Sequence, residues 1–130
     1  SAGRLQDLDV AGEPLHRVVA RWAAGTWTDG RVGLVVGATA PGELAELRAA
    51  IPGPAFLVPG VGAQGGDLDA ARDHADGAWA PGIVNVSRGI ATASAGADWR
   101  EAASAAASAL RRRLADPVLH SPPPHAEVRP

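Results

Sequence analysis

Two stretches of this chain hold the residue types from which an anion site can be built. Residues 56–66 read Phe-Leu-Val-Pro-Gly-Val-Gly-Ala-Gln-Gly-Gly, an apolar run that opens into a glycine-dense turn bearing one amide side chain, Gln64. Residues 82–89 repeat the arrangement, a short apolar run opening into Ser87, Arg88 and Gly89. Glycine turns let backbone N–H groups approach a ligand closely. The planar guanidinium of arginine donates parallel, charge-assisted hydrogen bonds that match a phosphate. The reading that joins these facts is that both strand ends face one phosphate, held by Gln64, Arg88 and the backbone of Ser87 to Gly89. The plainer alternatives are a loop amide at Gln64 and an Arg88 that is solvated or paired with Asp67 or Asp98. Ser87 is not read as a nucleophile, because residues 85–89 lack the first glycine of G-x-S-x-G and no paired base lies nearby.

Such a site needs strands that end at the same rim. Apolar runs near 32–37, 55–59 and 82–87 read as fully buried strands. Helical patterns alternate with them. Pro14 suits a helix start, with Leu15, Val18, Val19 and Trp22 forming one stripe that ends near Gly25. Pro41 opens a second helix with Leu44, Leu47 and Ile51 facing a core, and Asp67 caps a third through Ala75. Residues 90–96 suit a single helical turn. Asp98, with Glu101 in the reciprocal position, caps a long helix carrying Trp99, Ala103, Ala106, Leu110 and Leu114 on one face. Arg111 to Arg113 fall in its last turn, where positive charge complements the helix dipole. Strands alternating with helices predict an α/β fold with a parallel sheet.

Two architectures fit that alternation. An eight-stranded α/β barrel of about 250 residues uses roughly thirty per unit, and three such units are part of a barrel. An open doubly wound sheet fits the spacing equally. Residues 60–65 formally match the dinucleotide fingerprint G-x-G-x-x-G, but Pro59 interrupts the strand end and the next strand ends in Asn85-Val86-Ser87-Arg88, without the acid that would hold a ribose.

Composition removes other classes. The 130 residues allow one domain or less, and a net charge of −2 gives no basic footprint for nucleic acid or for a membrane surface. No apolar run approaches the ~20 residues of a membrane span and no leader pattern opens the chain, so it reads as soluble and cytoplasmic. Cysteine is absent, which excludes disulfides and thiol chemistry. The four histidines are split between two helices (His16, His74) and the tail (His120, His125), so no metal site is expected. The four tryptophans are expected to pack between helices and sheet. All twelve basic residues are arginine, so this chain supplies no lysine chemistry. There is no methionine, even at position 1, and the opening reads as loop, as expected of a piece of a longer protein. Residues 1–115 read as the folded part, and residues 116–130, with five prolines, as a disordered tail.

Residues 35–39 (Val-Val-Gly-Ala-Thr), 59–66 (Pro-Gly-Val-Gly-Ala-Gln-Gly-Gly) and 85–90 (Asn-Val-Ser-Arg-Gly-Ile) together resemble the last three strand ends of orotidine 5′-monophosphate decarboxylase, in its longer bacterial branch. The opening, residues 1–3 and 5–8, resembles the segment after that family's fifth strand. The resemblance runs to about residue 115. It implies a partial (β/α)8 barrel and a homodimeric enzyme without metal or organic cofactor, converting orotidine 5′-monophosphate to uridine 5′-monophosphate and carbon dioxide. It implies that Gln64 bridges phosphate and pyrimidine, that Arg88 pairs with the phosphate, that Ser87, Arg88 and Gly89 border it, and that Pro59 and Val61 line the ring pocket. The family's lysine and aspartate network, with its Asp-x-Lys-x-x-Asp motif, has no counterpart in this lysine-free sequence. The chain is therefore expected to hold the gripping part of the site without the reacting part. Another phosphate-binding barrel enzyme, or a non-catalytic fragment, remains the alternative.

Overall fold

The computed structural model describes residues 3–27 and 32–115. The proline-rich tail and part of the loop expected at 25–30 lie outside the described residues. The elements in chain order are α1 (Gly3–Gln6), β1 (Asp9–Val10), β2 (Glu13–Pro14), α2 (Leu15–Gly25), β3 (Leu34–Val35), α3 (Pro41–Ala50), β4 (Phe56–Pro59), α4 (Leu68–Ala75), β5 (Ile83–Asn85), α5 (Arg88–Ala91) and α6 (Trp99–Ala115). They form two compact units that divide between Ser87 and Arg88.

In the first unit, β3, β4 and β5 make a parallel sheet in that order, as the alternating pattern predicts. Helix α4 packs on β4 and β5 and against α3. The local causes of these elements are plain. Pro41 occupies the first turn of α3, where no N–H is needed, and Leu44, Leu47 and Ile51 recur on one face and are buried. Asp67 caps α4, its carboxylate accepting from the N–H of Asp69 at 2.8 Å and of Ala70 at 3.0 Å. Replacing Asp67 with alanine is expected to cost about 1 kcal/mol in chemical denaturation, the usual worth of such a cap.

The strands are shorter than expected and buried on one face only. Phe56 and Val58 lie beneath the helices with no exposed surface. On the opposite face Val35, Leu57 and Ile83 stand opposite one another in register and are 71%, 36% and 62% exposed. An unbroken apolar run is expected of a strand covered on both faces; here the second face is apolar and open. Helix α2 begins after Pro14 and ends at Gly25 as predicted, but its buried residues are Val18, Ala20 and Ala23, while Val19 and Trp22 face outward. The expectation that the tryptophans pack in the interior is likewise corrected: Trp22, Trp27, Trp79 and Trp99 are each at least half exposed.

The most heavily bonded side chain of this unit is Arg48, near the end of α3. Its guanidinium donates to the carbonyls of His74 (2.9 Å), Ile51 (2.9 Å), Pro52 (3.3 Å), Pro54 (2.9 Å) and Ala75 (3.1 Å). It also lies over the Phe56 ring, 3.6 Å from the centroid. One side chain thus ties the end of α3 and the loop before β4 to the end of α4. Burial lowers the pKa of Arg48, and the nearby Asp76 carboxylate partly opposes that shift.

In the second unit, α5 packs on α6. The single turn expected at 90–96 starts earlier, at Arg88, and is closed by the Thr92 hydroxyl donating to the Arg88 carbonyl at 2.8 Å. Helix α6 begins at Trp99 as predicted, yet the Asp98 carboxylate accepts from the Ser94 hydroxyl at 2.6 Å instead of capping the helix N–H groups. Ala103, Ala106, Leu110 and Leu114 share a half-buried face of α6.

Candidate functional site

Parallel pairing fixes where the candidate residues leave the sheet. In register, Val58 stands opposite Val84 and Pro59 opposite Asn85, so the loop after β4 and the turn after β5 emerge at the same, carboxyl-terminal edge. This is the edge at which open and closed α/β sheets place their ligands.

The loop after β4 is built by its glycines. Gly60, Gly62 and Gly65 have φ of 95°, 75° and 81°, in the left-handed region that glycine adopts without strain. The Gly62 N–H donates to the Gly66 carbonyl at 3.1 Å, that of Gly65 to Gly62 at 2.7 Å, and that of Gly66 to Gly60 at 3.0 Å. The loop therefore closes on itself, and the N–H groups of Ala63 and Gln64 at its tip have no acceptor among the described residues. The Asp67 N–H donates to Ala38 at 3.3 Å, and the Ala38 N–H to Pro59 at 2.9 Å, which ties the loop to the exit of β3. A side chain at Gly66 would put its Cβ 2.4 Å from the Gly60 oxygen and 2.6 Å from the Ala38 Cβ. Replacing Gly66 with alanine is expected to destabilise the chain by about 2 kcal/mol, because backbone and a buried methyl are what would have to move. A denaturation midpoint unchanged by that substitution would show that the loop rearranges freely.

Gln64 is exposed, and its Oε1 reaches back over Gly60, 3.1 Å from where a Cβ on that glycine would stand. The Thr39 methyl lies 3.7 Å from the same point, so the structure brings Gln64, Gly60 and Thr39 together. Pro59 is half-buried and Asn85, beside it, is exposed; both lie on the open face that carries Val35, Leu57 and Ile83. Val61, the other expected wall residue, is 6% exposed and forms an isolated bridge to Gly66. Ser87 is exposed at the end of the first unit. Arg88 and Gly89, one and two peptide bonds on, are exposed in the first turn of α5. Within its own unit Arg88 forms no ion pair among the described residues, so Asp98 does not neutralise it.

Thr39 and Asn85 are the neighbours that the sequence reading passed over. Each had a signal, since Thr39 lies two residues beyond the first strand run and Asn85 is a polar side chain amid the apolar residues of the third. Elsewhere, His16 donates from Nδ1 to the Gln6 carbonyl at 3.1 Å, and His74 stands on a different helix. Among the described residues no group of three histidine, aspartate or glutamate side chains could hold a metal ion.

Several known proteins similar to this chain carry one name. A sequence from Halorubrum lacusprofundi named orotidine 5′-phosphate decarboxylase is 50% identical over 124 residues, covering 85% of this chain and 45% of that relative. The chain is a homologue of orotidine 5′-phosphate decarboxylase. A decarboxylase of that name from Roseiflexus castenholzii is 50% identical over 113 residues, covering 85% of this chain and 42% of the relative. The solved structure of the Leishmania donovani OMP decarboxylase superposes with a TM-score of 0.66 at 42% identity, over 87% of this chain and 44% of that one. No family model matches. The chain thus spans less than half the length of the decarboxylases it matches. Its three-stranded sheet with flanking helices is accordingly a partial α/β barrel.

Proposed function

We propose that this chain is the phosphate-gripping portion, the last three strands and their helices, of an orotidine 5′-phosphate decarboxylase acting in pyrimidine biosynthesis. The observation that carries the reading is the shared edge of β4 and β5. One strand delivers a self-closed glycine loop with Gln64 folded over it, and the other leads directly into Ser87, Arg88 and Gly89.

In this reading the Arg88 guanidinium pairs with the 5′-phosphate of orotidine 5′-monophosphate, assisted by backbone N–H groups at the start of α5. Gln64 spans from phosphate to pyrimidine. Pro59 and Val61 border the ring, with Thr39 and Asn85 beside Pro59. The reaction breaks the bond between pyrimidine C6 and the carboxylate, releases carbon dioxide, and places a proton on C6. A chain without lysine supplies no ammonium as the proton source, so that group and its aspartate partners belong to the remainder of the enzyme. The residues here work at a distance from the reacting bond. Binding energy from the unreactive phosphate closes the loop and holds the carboxylate where it is destabilised relative to the transition state. The complete enzyme is read as a cofactor-free cytoplasmic homodimer. Among the described residues no helix is long and apolar enough to cross a membrane.

The test replaces the matching segment of a 50%-identical relative with this chain and assays carbon dioxide release from orotidine 5′-monophosphate. Turnover by the chimera, with none from the 130-residue chain alone, is the expected result. An inactive but folded chimera, or enzyme-like turnover by the isolated chain, would overturn the reading.

A further inference from the structure

The loops that enter β4 and β5, at the amino-terminal edge of the sheet and so opposite the edge that carries Gln64, meet beside a second cleft. The Ala78 N–H donates to the Pro52 carbonyl at 2.8 Å and the Trp79 N–H to Gly53 at 3.0 Å. The Trp79 indole rests on Gly53: a Cβ on that glycine would stand 2.4 Å from the indole Cε2 and Cζ2, so any side chain there would push the ring away. Between these loops and the end of α2 lies a cleft of about 360 Å³, walled by Ala24, Ile51, Pro52, Pro54, Trp79 and Arg21 and lying wholly within the first unit. Its polar inventory is one-sided. Arg21 and Trp79 are the polar side chains that line it, and both can only donate. The Arg21 Nη1 donates to the Glu13 carboxylate, which holds the guanidinium in place and leaves Nε and Nη2 without a partner among the described residues. The indole N–H of the half-exposed Trp79 has no partner there either. The carbonyls of residues 51–54 are meanwhile all engaged, those of Ile51, Pro52 and Pro54 by Arg48 and that of Gly53 by Trp79.

We infer that this cleft is a binding site for a planar aromatic carboxylate, with its ring against Trp79 and the apolar wall and its carboxylate on the unpaired edge of Arg21. The other classes of small molecule fit the lining less well. A cation meets Arg21 and finds no side-chain acceptor. A neutral apolar molecule covers the donors without pairing them, which costs more than leaving them in water. A bare inorganic anion satisfies Arg21 but leaves the apolar wall open. A ligand that is apolar over most of its surface and anionic at one end answers both parts, and the cleft falls in the usual size range of small-molecule sites. None of Gln64, Ser87, Arg88 and Gly89 borders it, so the inference stands apart from the decarboxylase reading.

The test titrates the 130-residue chain with naphthalene-2-carboxylate and follows its amide and indole N–H resonances by NMR, the Trp79 indole signal being assigned by its loss in Trp79→Phe. The expected result is a saturable shift of that signal and of the Gly53 and Ala78 amides. Naphthalene-2-carboxamide, neutral and of the same shape, should bind at least about tenfold more weakly. Arg21→Gln should weaken the carboxylate about tenfold and leave the carboxamide unchanged, a difference that a loss of packing would not produce. Arg21→Lys should retain part of the preference. Glu13→Gln keeps an acceptor for Arg21 but removes the opposing charge, and should tighten the carboxylate. Equal affinity for carboxylate and carboxamide overturns the inference. So do shifts confined to the open row of Val35, Leu57 and Ile83, or a carboxylate affinity that Arg21→Gln and Glu13→Gln leave unmoved.

Discussion

Arg88→Ala, made in a full-length decarboxylase carrying this chain as its matching segment, is expected to lower kcat/KM by roughly 10²–10⁴-fold, about 3–5 kcal/mol. The magnitude follows from what the side chain is free to do. It is exposed, enters no ion pair among the described residues, and follows by one residue a turn that leaves the same sheet edge as the Gln64 loop. A guanidinium held in reserve for an anion has little internal interaction to give up on binding. In the proposed function the phosphate is not the reacting group and its grip would close the loop and orient the ring, so kcat should fall along with affinity. Added guanidinium ion should restore part of the lost rate, and Arg88→Lys should retain part of it, as a point charge without the planar fork. Steady-state kinetics that do not change would remove Arg88 from the site.

The second large effect is on stability. Arg48→Met is expected to destabilise the first unit by about 3–5 kcal/mol, read as a shift in the urea midpoint with unchanged slope. Methionine preserves the apolar stem but leaves five carbonyls, from two segments of the chain, residues 51–54 and 74–75, to find other donors. Hydrogen bonds to a charged group are each worth about 1.5–3 kcal/mol, and several share one side chain here, so their loss is less than additive. Arg48→Lys should recover only a fraction. An ammonium has three donors on one atom and cannot reach the carbonyls of Ile51, Pro54, His74 and Ala75 in their separate directions. A midpoint close to that of the parent chain would mean that water replaces the guanidinium, and that α3 and α4 are held by apolar contact alone.

Much of this architecture was legible in the sequence where a local rule acts alone. Pro41 and Asp67 mark helix starts because their chemistry suits a first turn whatever lies around it, and Leu44, Leu47 and Ile51 follow from helical spacing. The turn after β4 was legible because only glycine adopts its backbone freely. What escaped depends on partners remote in sequence. Arg48 looks like any surface arginine until the ends of α3 and α4 are brought beside the same loop. The exposure of Val35 and Ile83 could not be read from an unbroken apolar run, which reports that a residue is suited to burial and not whether anything covers it. Asp98 misled for a local reason: Ser94 competes for the carboxylate expected to cap α6.

The open row of Val35, Leu57 and Ile83 also bears on the chain's life in a cell. A three-residue apolar ribbon left uncovered is what holdase chaperones and quality-control proteases recognise, so whatever covers the row lengthens the half-life of the polypeptide that carries it.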